Sequence, residues 1–582
     1  MKTSDNNNNI ISGFNRDFLE SREEFTWIGE GALGGKASGL ALADKIIKEK
    51  IESKEFPDVI INIPRLVVLR TGLFDAFLQR NNLFEIAYSD ERDEDIILAF
   101  LQADMPSEIL GDLRGLIENV RVPLAVRSSS MLEDAKNEPF SGIYATKMIP
   151  NNQTSTDERF LKLIEAIKFV YVSTFLKVSK DYFKVSSHSI KEEKMAVIIQ
   201  EIAGQKFNDR FYPNFSGVAR SYNFFPHGKA KPEQGAVGLA LGLGKTIVDG
   251  GLVWNYSPAF PKSVPPFGDT NALLNNTQTN FWAVNMSHSI EYDATKEEEY
   301  MTQYNLSDAD YDDTLKYIAS TYDAPSDRIV MGVAESGARV INFCRLLTMN
   351  EFHFNDLIKK LLEVYEEELK GPVEIEFAVT IPRDSQKLHF GFLQVRPAAV
   401  FGEKVELDEK ELYGKNVLAA SKLVMGNGVI ENIYDVVFLK PETFDKKDTH
   451  KIASEIDSIN RSLVKEKLPY LLIGFGRWGS SDPWLGIPVK WGQIGGASVI
   501  IESTLFDINV ELSQGSHFFH NLTSFNVSYF SITFDGEFAI DWNWLNLQDI
   551  VVEMNFVKHI KLAQPLKIKV DGRKSRGVIK KC

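Results

Sequence analysis

Two short segments constrain this chain more than any others: Val373-Glu-Ile-Glu-Phe377 and Leu393-Gln-Val-Arg-Pro397. Each alternates polar and apolar side chains with a period of two, which is the period of a β-strand. The pattern predicts strands over Val373–Val379 and Leu388–Val395. Glu374 and Glu376 then share one face, and Gln394 and Arg396 share another. If the two strands pair, two carboxylates, an amide and a guanidinium converge. A pair of carboxylates suits hard Mg²⁺, which fills its remaining positions with water and phosphate oxygens. An arginine beside such a site would stabilise charge on a phosphoryl group in transfer. Alternation alone leaves a second arrangement open, an edge strand with a solvated face.

Three other segments carry compatible chemistry. Gly34-Gly35-Lys36-Ala-Ser-Gly39 precedes apolar residues at helical spacing and predicts a helix over Lys36–Ile51. Glycines let backbone approach a phosphate, a helix start offers unpaired N–H groups, and Lys36 adds a charge. The spacing is not that of a Walker A loop, and taken alone the segment reads as a flexible turn carrying a surface lysine. Leu124-Ala-Val-Arg127-Ser-Ser-Ser130 predicts an apolar strand that delivers Arg127 to a group of hydroxyls, with Glu133 just beyond. Arg127 would bind phosphate bidentately or pair with Glu133. Gly238–Lys245 is glycine-rich, and taken alone it reads as a bend in a buried strand.

Composition narrows the class. The 582 residues carry a net charge of −15, which argues against general binding of nucleic acid or of an anionic membrane. The two cysteines, Cys344 and Cys582, are too few for a disulfide framework or a cysteine metal centre. No apolar run approaches the ~18 residues of a membrane span. The expectation is a cytoplasmic protein. Strands alternate with helices along the chain, including a predicted helix over Asp157–Lys177 and a strand over Met195–Ile202, so the expected class is mixed α/β. The apolar run Val59–Leu69 predicts a strand pair about Pro64.

Taken in order, these motifs resemble the N-terminal nucleotide-binding domain of the phosphoenolpyruvate synthase and pyruvate phosphate dikinase family. The resemblance rests on GGKASGL, LAVRSSSMLEDAKNEPFSGIYAT, MAVIIQEI, FSGVA, GLALGLGKTIVDG, VEIEFAV and FLQVRPA, and covers roughly residues 25 to 400. It implies a two-lobed ATP-grasp-like fold with ATP and Mg²⁺ between the lobes. It further implies that Lys36 and Arg127 contact phosphates, that Glu376 is a metal ligand with Glu374 beside it, and that Gln394 and Arg396 complete the nucleotide site. Two positions depart from the family pattern: Lys245 stands where an acidic residue is usual, and Glu374 where an aspartate is usual.

Relatives in this family pass phosphate through a mobile histidine domain to an acceptor on a separate barrel. No segment after residue 400 resembles that barrel, and the usual Thr-Ser/Cys-His-Ala-Ala run is absent. A remote counterpart is Gly515-Ser516-His517, between the strand Ala497–Glu502 and one near Tyr529. There His517 would be a phosphoryl-accepting nucleophile, or His517 and His520 would be structural beside Phe518 and Phe519. The loop Gly474–Trp484 reads either as a binding surface or as a packed tryptophan corner.

The expected organisation is a disordered tail over 1–14, an ATP-grasp-like nucleotide domain over 15–400, and a C-terminal α/β domain over 401–582 with phosphohistidine-like character. The expected function is Mg-dependent phosphoryl transfer from ATP to a small molecule or a separate protein. Sequence leaves the acceptor and the oligomeric state open. The alternative is a nucleotide-binding regulatory or scaffold protein that has lost the histidine relay.

Overall fold

The computed structural model describes the chain except for residues 1–11, 16–23, 134–141, 187, 225, 227–228, 264–269, 288–292, 384–386, 399–404, 481, 483, 506–517, 519–520, 523–524 and 582. The fold is mixed α/β, with strands gathered into several mixed sheets.

Two six-stranded sheets organise the N-terminal two-thirds. The first runs in the order Ser12–Gly13, Phe25–Ile28, Leu66–Leu69, Met195–Glu201, Leu124–Ser130, Thr146–Ile149. The second runs Trp254–Tyr256, Ala236–Ala240, Phe215–Arg220, Val373–Thr380, Leu388–Pro397, Val59–Asn62. The apolar run about Pro64 therefore makes two strands, as its composition suggests, but they do not pair. Val59–Asn62 joins the second sheet and Leu66–Leu69 the first, so the chain crosses between sheets at the proline. Ser12 and Gly13, assigned by sequence to a polar tail, pair in parallel with Thr26 and Trp27; the rest of that segment before residue 12 lies outside the described residues.

The predicted helices form with small shifts of boundary. Gly35–Lys50 buries Leu40, Ala43 and Ile46, and Thr156–Ser173 is followed by a separate helix, Lys177–Val185. The Gly35–Lys50 helix lies close against the Leu388–Pro397 strand: a Cβ on Gly39 would approach the Val395 carbonyl to 3.1 Å. The glutamate strand is not an edge. Val373–Thr380 is central, with Phe215–Arg220 on one side and Leu388–Pro397 on the other. Both of its faces are covered, so its polar face is buried rather than solvated.

Beyond residue 416 the described strands form a separate short pair, Arg477–Trp478 with Gly486–Ile487, and a nine-stranded sheet. Its path runs Val417–Ser421, Arg576–Lys580, Val557–Asp571, Asn427–Leu439, Tyr470–Phe475, Ala497–Ser503, Ser528–Ile532, Val424–Met425, with Asp549–Glu553 also paired to Val557–Asp571. The two ends of this path, Val417–Ser421 and Val424–Met425, are adjacent in sequence. Ser421 Oγ donates to the Ser531 carbonyl, and the Ser531 N–H donates to the Leu423 carbonyl. The sheet thus curls round until its ends meet, around an apolar interior that includes Ile433, Phe438, Ile473, Ile501, Phe530 and Ile568. Its outer side joins one large core with the helices of the N-terminal lobe, where Trp478, Trp491 and Tyr529 pack in the same cluster as Tyr171 and Tyr182.

Candidate functional site

A cavity of about 430 Å³ opens between the two six-stranded sheets. Lys36, Arg127, Glu376, Gln394 and Arg396, singled out from four separated stretches of sequence, all line it.

Each side chain is placed by backbone architecture. The start of the Gly35–Lys50 helix abuts the strand that carries Arg127. Gly34 has φ +79°, and a Cβ there would overlap the Ser129 carbonyl oxygen at 1.6 Å, so only glycine permits the approach. Ser129 completes the join: its Oγ accepts from the Ala37 N–H at 3.0 Å and donates to the Leu33 carbonyl at 2.9 Å. Lys36 forms an ion pair with Glu133, whose carboxylate also accepts from Ser128 Oγ at 2.9 Å. Glu133 therefore serves Lys36 and not Arg127.

Arg127 reaches from the first sheet to the second. Its Nη1 donates to Gln200 Oε1 at 3.2 Å and to the Leu393 carbonyl at 3.0 Å, and its Nη2 donates to Gln394 Oε1 at 3.0 Å. The guanidinium thus ties the two sheets together at the cavity wall.

The two glutamates take different roles. Strand register sets Glu374 opposite Arg396 on one side and Arg220 on the other, and Glu376 opposite Gln394. Glu374 is 4% exposed. It accepts from Arg396 through Nε at 2.9 Å and through Nη2, and from Arg220 Nε at 2.5 Å. Glu374 is expected from sequence to be a metal ligand beside Glu376, and its neighbours here are arginines. Both its oxygens are taken by guanidinium groups, and it does not line the cavity. Glu376 does line it, and its Oε1 is buried with no hydrogen-bond partner among the described residues. Its Oε2 is 4.0 Å from Arg127 Nη2.

A carboxylate that lines the cavity and has one oxygen without a hydrogen-bond partner fits a divalent cation. Mg²⁺ is commonly held by one or two carboxylates, with substrate phosphates and water supplying the rest. No group of three or more His, Cys, Asp or Glu suited to an all-protein metal site occurs among the described residues, so the phosphates would have to share the ion.

The far wall joins the glycine-rich segment, already singled out in the sequence, to glutamates that were not. The glycine-rich segment is a strand through Gly238 that turns at Gly242 (φ +82°) into the short helix Lys245–Val248. Lys245 lines the cavity and pairs with Asp249 at 2.8 Å and Glu298 at 3.1 Å. Burial alone would depress its pKa, but Asp249, Glu297 and Glu298 outweigh it and hold the ammonium above the ordinary lysine range. Burial raises the pKa of Glu297, which accepts from the Thr146 N–H at 2.9 Å. The three consecutive glutamates 297–299 were the available signal, but an acidic run in sequence more often marks a solvated face.

His517 and His520 lie outside the described residues. In the loop Gly474–Trp484 the packed-corner reading fits Trp478. It is 1% exposed, stacks closely over Gly474 and donates Nε1–H to the Ile501 carbonyl at 3.2 Å. Trp484 is exposed.

The family model for the pyruvate phosphate dikinase AMP/ATP-binding domain matches residues 30–416. The chain belongs to this family. A search of curated proteins finds no match. Membership in the dikinase AMP/ATP-binding family carries nucleotide binding and a two-lobed ATP-grasp-like fold, and its members are kinase- and dikinase-type enzymes. The matched span ends where the curled sheet begins, and it contains every cavity residue named above. No described helix is long and apolar enough to cross a membrane.

Proposed function

We propose that the protein is a Mg-dependent phosphotransferase that takes a phosphoryl group from ATP and passes it to a small molecule or a separate protein. The observation that carries this reading is the meeting of Arg127, Arg396, Lys36 and the orphaned Glu376 carboxylate on one cavity. In this reading Lys36 and Arg127 bind phosphate oxygens. Glu376 holds Mg²⁺, which supplies charge neutralisation when bound. Gln394 orients Arg127, through the hydrogen bond already made between them. Arg396, held by Glu374, stabilises charge that develops on the transferred group. Preformed donors aimed at one place raise the rate because little reorganisation remains at the moment of reaction.

The test is incubation with Mg·ATP labelled at the β- or the γ-phosphate, following AMP, ADP, phosphate and protein-bound label. Wild type should form product and Arg396→Ala should not. Acid-labile protein label that disappears in His517→Ala would assign His517 as the first acceptor. Tight ATP binding with no product and no label, in wild type and Arg396→Ala alike, would refute the enzyme reading and leave a nucleotide-binding scaffold.

A further inference from the structure

The curled C-terminal sheet is fastened to both lobes around the nucleotide cavity. On one lobe, the turn Trp491–Gln493 packs on the helix Lys177–Val185. A Cβ on Gly492 would lie 2.9 Å from the Asp181 Cβ, so the contact leaves no room for a larger residue. Asn460 Nδ2 donates to the Gly492 carbonyl at 2.9 Å and fixes the turn from behind. Arg461 and Lys177 extend the join, each 3.9 Å from a carboxylate of the opposing unit, Asp181 and Asp457 respectively. On the other lobe, Arg477 is 4% exposed and donates from Nη1 to the carbonyls of Gly250 at 2.8 Å and Gly251 at 2.9 Å. Those glycines form the turn just after the Lys245–Val248 helix.

Between these two grips lies Lys490. Its backbone N–H donates to Gln493 Oε1 at 2.8 Å, which sets the residue independently of its side chain. The side chain joins the lining of the cavity, on the same wall as Lys245 and Glu298. Burial pushes the pKa of Glu298 up, but the charge and hydrogen bond of Lys245, a backbone hydrogen bond and the charge of Lys490 together bring it below the ordinary carboxylate value. Of the other lining cations, Lys36 meets Glu133, Lys245 meets Asp249 and Glu298, Arg396 meets Glu374, and Arg127 lies 4.0 Å from Glu376. Lys490 enters from outside the matched family span.

We propose that Lys490 is a phosphate-binding residue of the ATP site, delivered to it by the C-terminal unit. This rests on the reading that the nucleotide occupies this cavity. An ammonium on a long, rotatable stem at the cavity wall can follow an anionic chain that the fixed arginines cannot. The C-terminal unit is on this account a working part of the nucleotide site.

The experiment is calorimetric titration of the full chain with Mg·ATP and, separately, with adenosine, for wild type, Lys490→Ala, Lys490→Arg and Lys490→Glu, with thermal unfolding of each. Lys490→Ala should weaken Mg·ATP binding about tenfold. It should leave adenosine affinity and the unfolding midpoint unchanged. Lys490→Arg should restore most of the loss, and Lys490→Glu should deepen it. Equal Mg·ATP affinity in wild type and Lys490→Ala would overturn the proposal. So would a parallel loss for ATP and adenosine, which would mark a structural effect. Failure of the wild type itself to bind Mg·ATP would instead strike at the nucleotide reading of the cavity.

Discussion

Glu374 and Glu376 stand two residues apart on one strand, and opposite consequences are expected from removing each charge. Glu374 is 4% exposed and contacts two guanidinium groups, those of Arg396 and Arg220. At roughly 4 Å between charge centres and an effective dielectric near 20, each pairing is worth about 4 kcal/mol before desolvation. Removing one member of a buried pair typically costs about 3–5 kcal/mol, because the remaining charge is left uncompensated. Glu374→Gln keeps the shape and one acceptor oxygen, so the loss should fall near the lower end, about 3 kcal/mol. Glu376 differs, since its Oε1 has no partner and its Oε2 is 4.0 Å from Arg127 Nη2. Removing that charge relieves a desolvation penalty and forfeits a weak attraction, so Glu376→Gln should change stability by less than about 1 kcal/mol. Function should follow the other order. Glu376→Gln should abolish the magnesium dependence of ATP binding, and Glu374→Gln should preserve it at weakened affinity. Denaturant unfolding, with ATP titrations in the presence and absence of Mg²⁺, measures both. If Glu374→Gln leaves the unfolding midpoint unchanged and removes the magnesium dependence, Glu374 is a metal ligand and its assignment as an arginine anchor is wrong.

Two further outcomes are expected. Gly34→Ala should destabilise the protein by about 2–5 kcal/mol and weaken ATP binding, since the positive φ and the overlap with the Ser129 carbonyl are both backbone constraints; a thermal unfolding midpoint equal to wild type would contradict the close approach of helix to strand. Burial raises the carboxyl pKa of Glu193 to about 6, against partial relief from Tyr144 and the Lys194 and Met131 N–H groups. The folded state then binds the proton more tightly than the unfolded one, so this group's contribution to stability falls by about 2 kcal/mol as pH rises from about 4.5 to above 6. The stability difference between Glu193→Gln and wild type should therefore grow in favour of the variant over that range, and a difference independent of pH would refute the assignment.

The legible part of the site was what local pattern determines. Period-two alternation put Glu376, Gln394 and Arg396 on strand faces, and the apolar run before Arg127 buried its strand. The glycines before Lys36 marked a helix start. The illegible part is what strand order determines. Periodicity gives the face of a side chain but not the strand that will lie beside it. Arg220 is 154 positions from Glu374, and only the pairing of Phe215–Arg220 with Val373–Thr380 brings it alongside, so its contact with Glu374 has no trace in local pattern. In the same way Val59–Asn62 and Leu66–Leu69 look like neighbours in sequence, yet each finds its partners in a different sheet. Lys490 carried no local signature, and Glu298 sits in an acidic run that by itself reads as a solvated face.

The charge arrangement of the cavity bears on which form of the nucleotide it takes. Lys36, Lys245 and Arg396 each face a carboxylate within the protein. Phosphates arriving without a cation would have to compete with Glu133, Glu298 and Glu374 for these groups, in a chain whose net charge is already −15. Glu376 presents the opposite demand, with Oε1 lacking any hydrogen-bond partner among the described residues and Oε2 only 4.0 Å from Arg127 Nη2. On the proposed reading, a nucleotide that brings Mg²⁺ would meet both conditions at once: Glu376 would hold the ion, and the phosphates would carry less charge toward the lining carboxylates. Preference for the magnesium complex over free ATP would then arise mainly from the protein's own carboxylates. Neutralising Glu298 as Gln should narrow that preference by raising the affinity for free ATP, while Glu376→Gln should narrow it by lowering the affinity for the complex. Equal shifts of both forms in either variant would mean that the carboxylates do not set the selectivity.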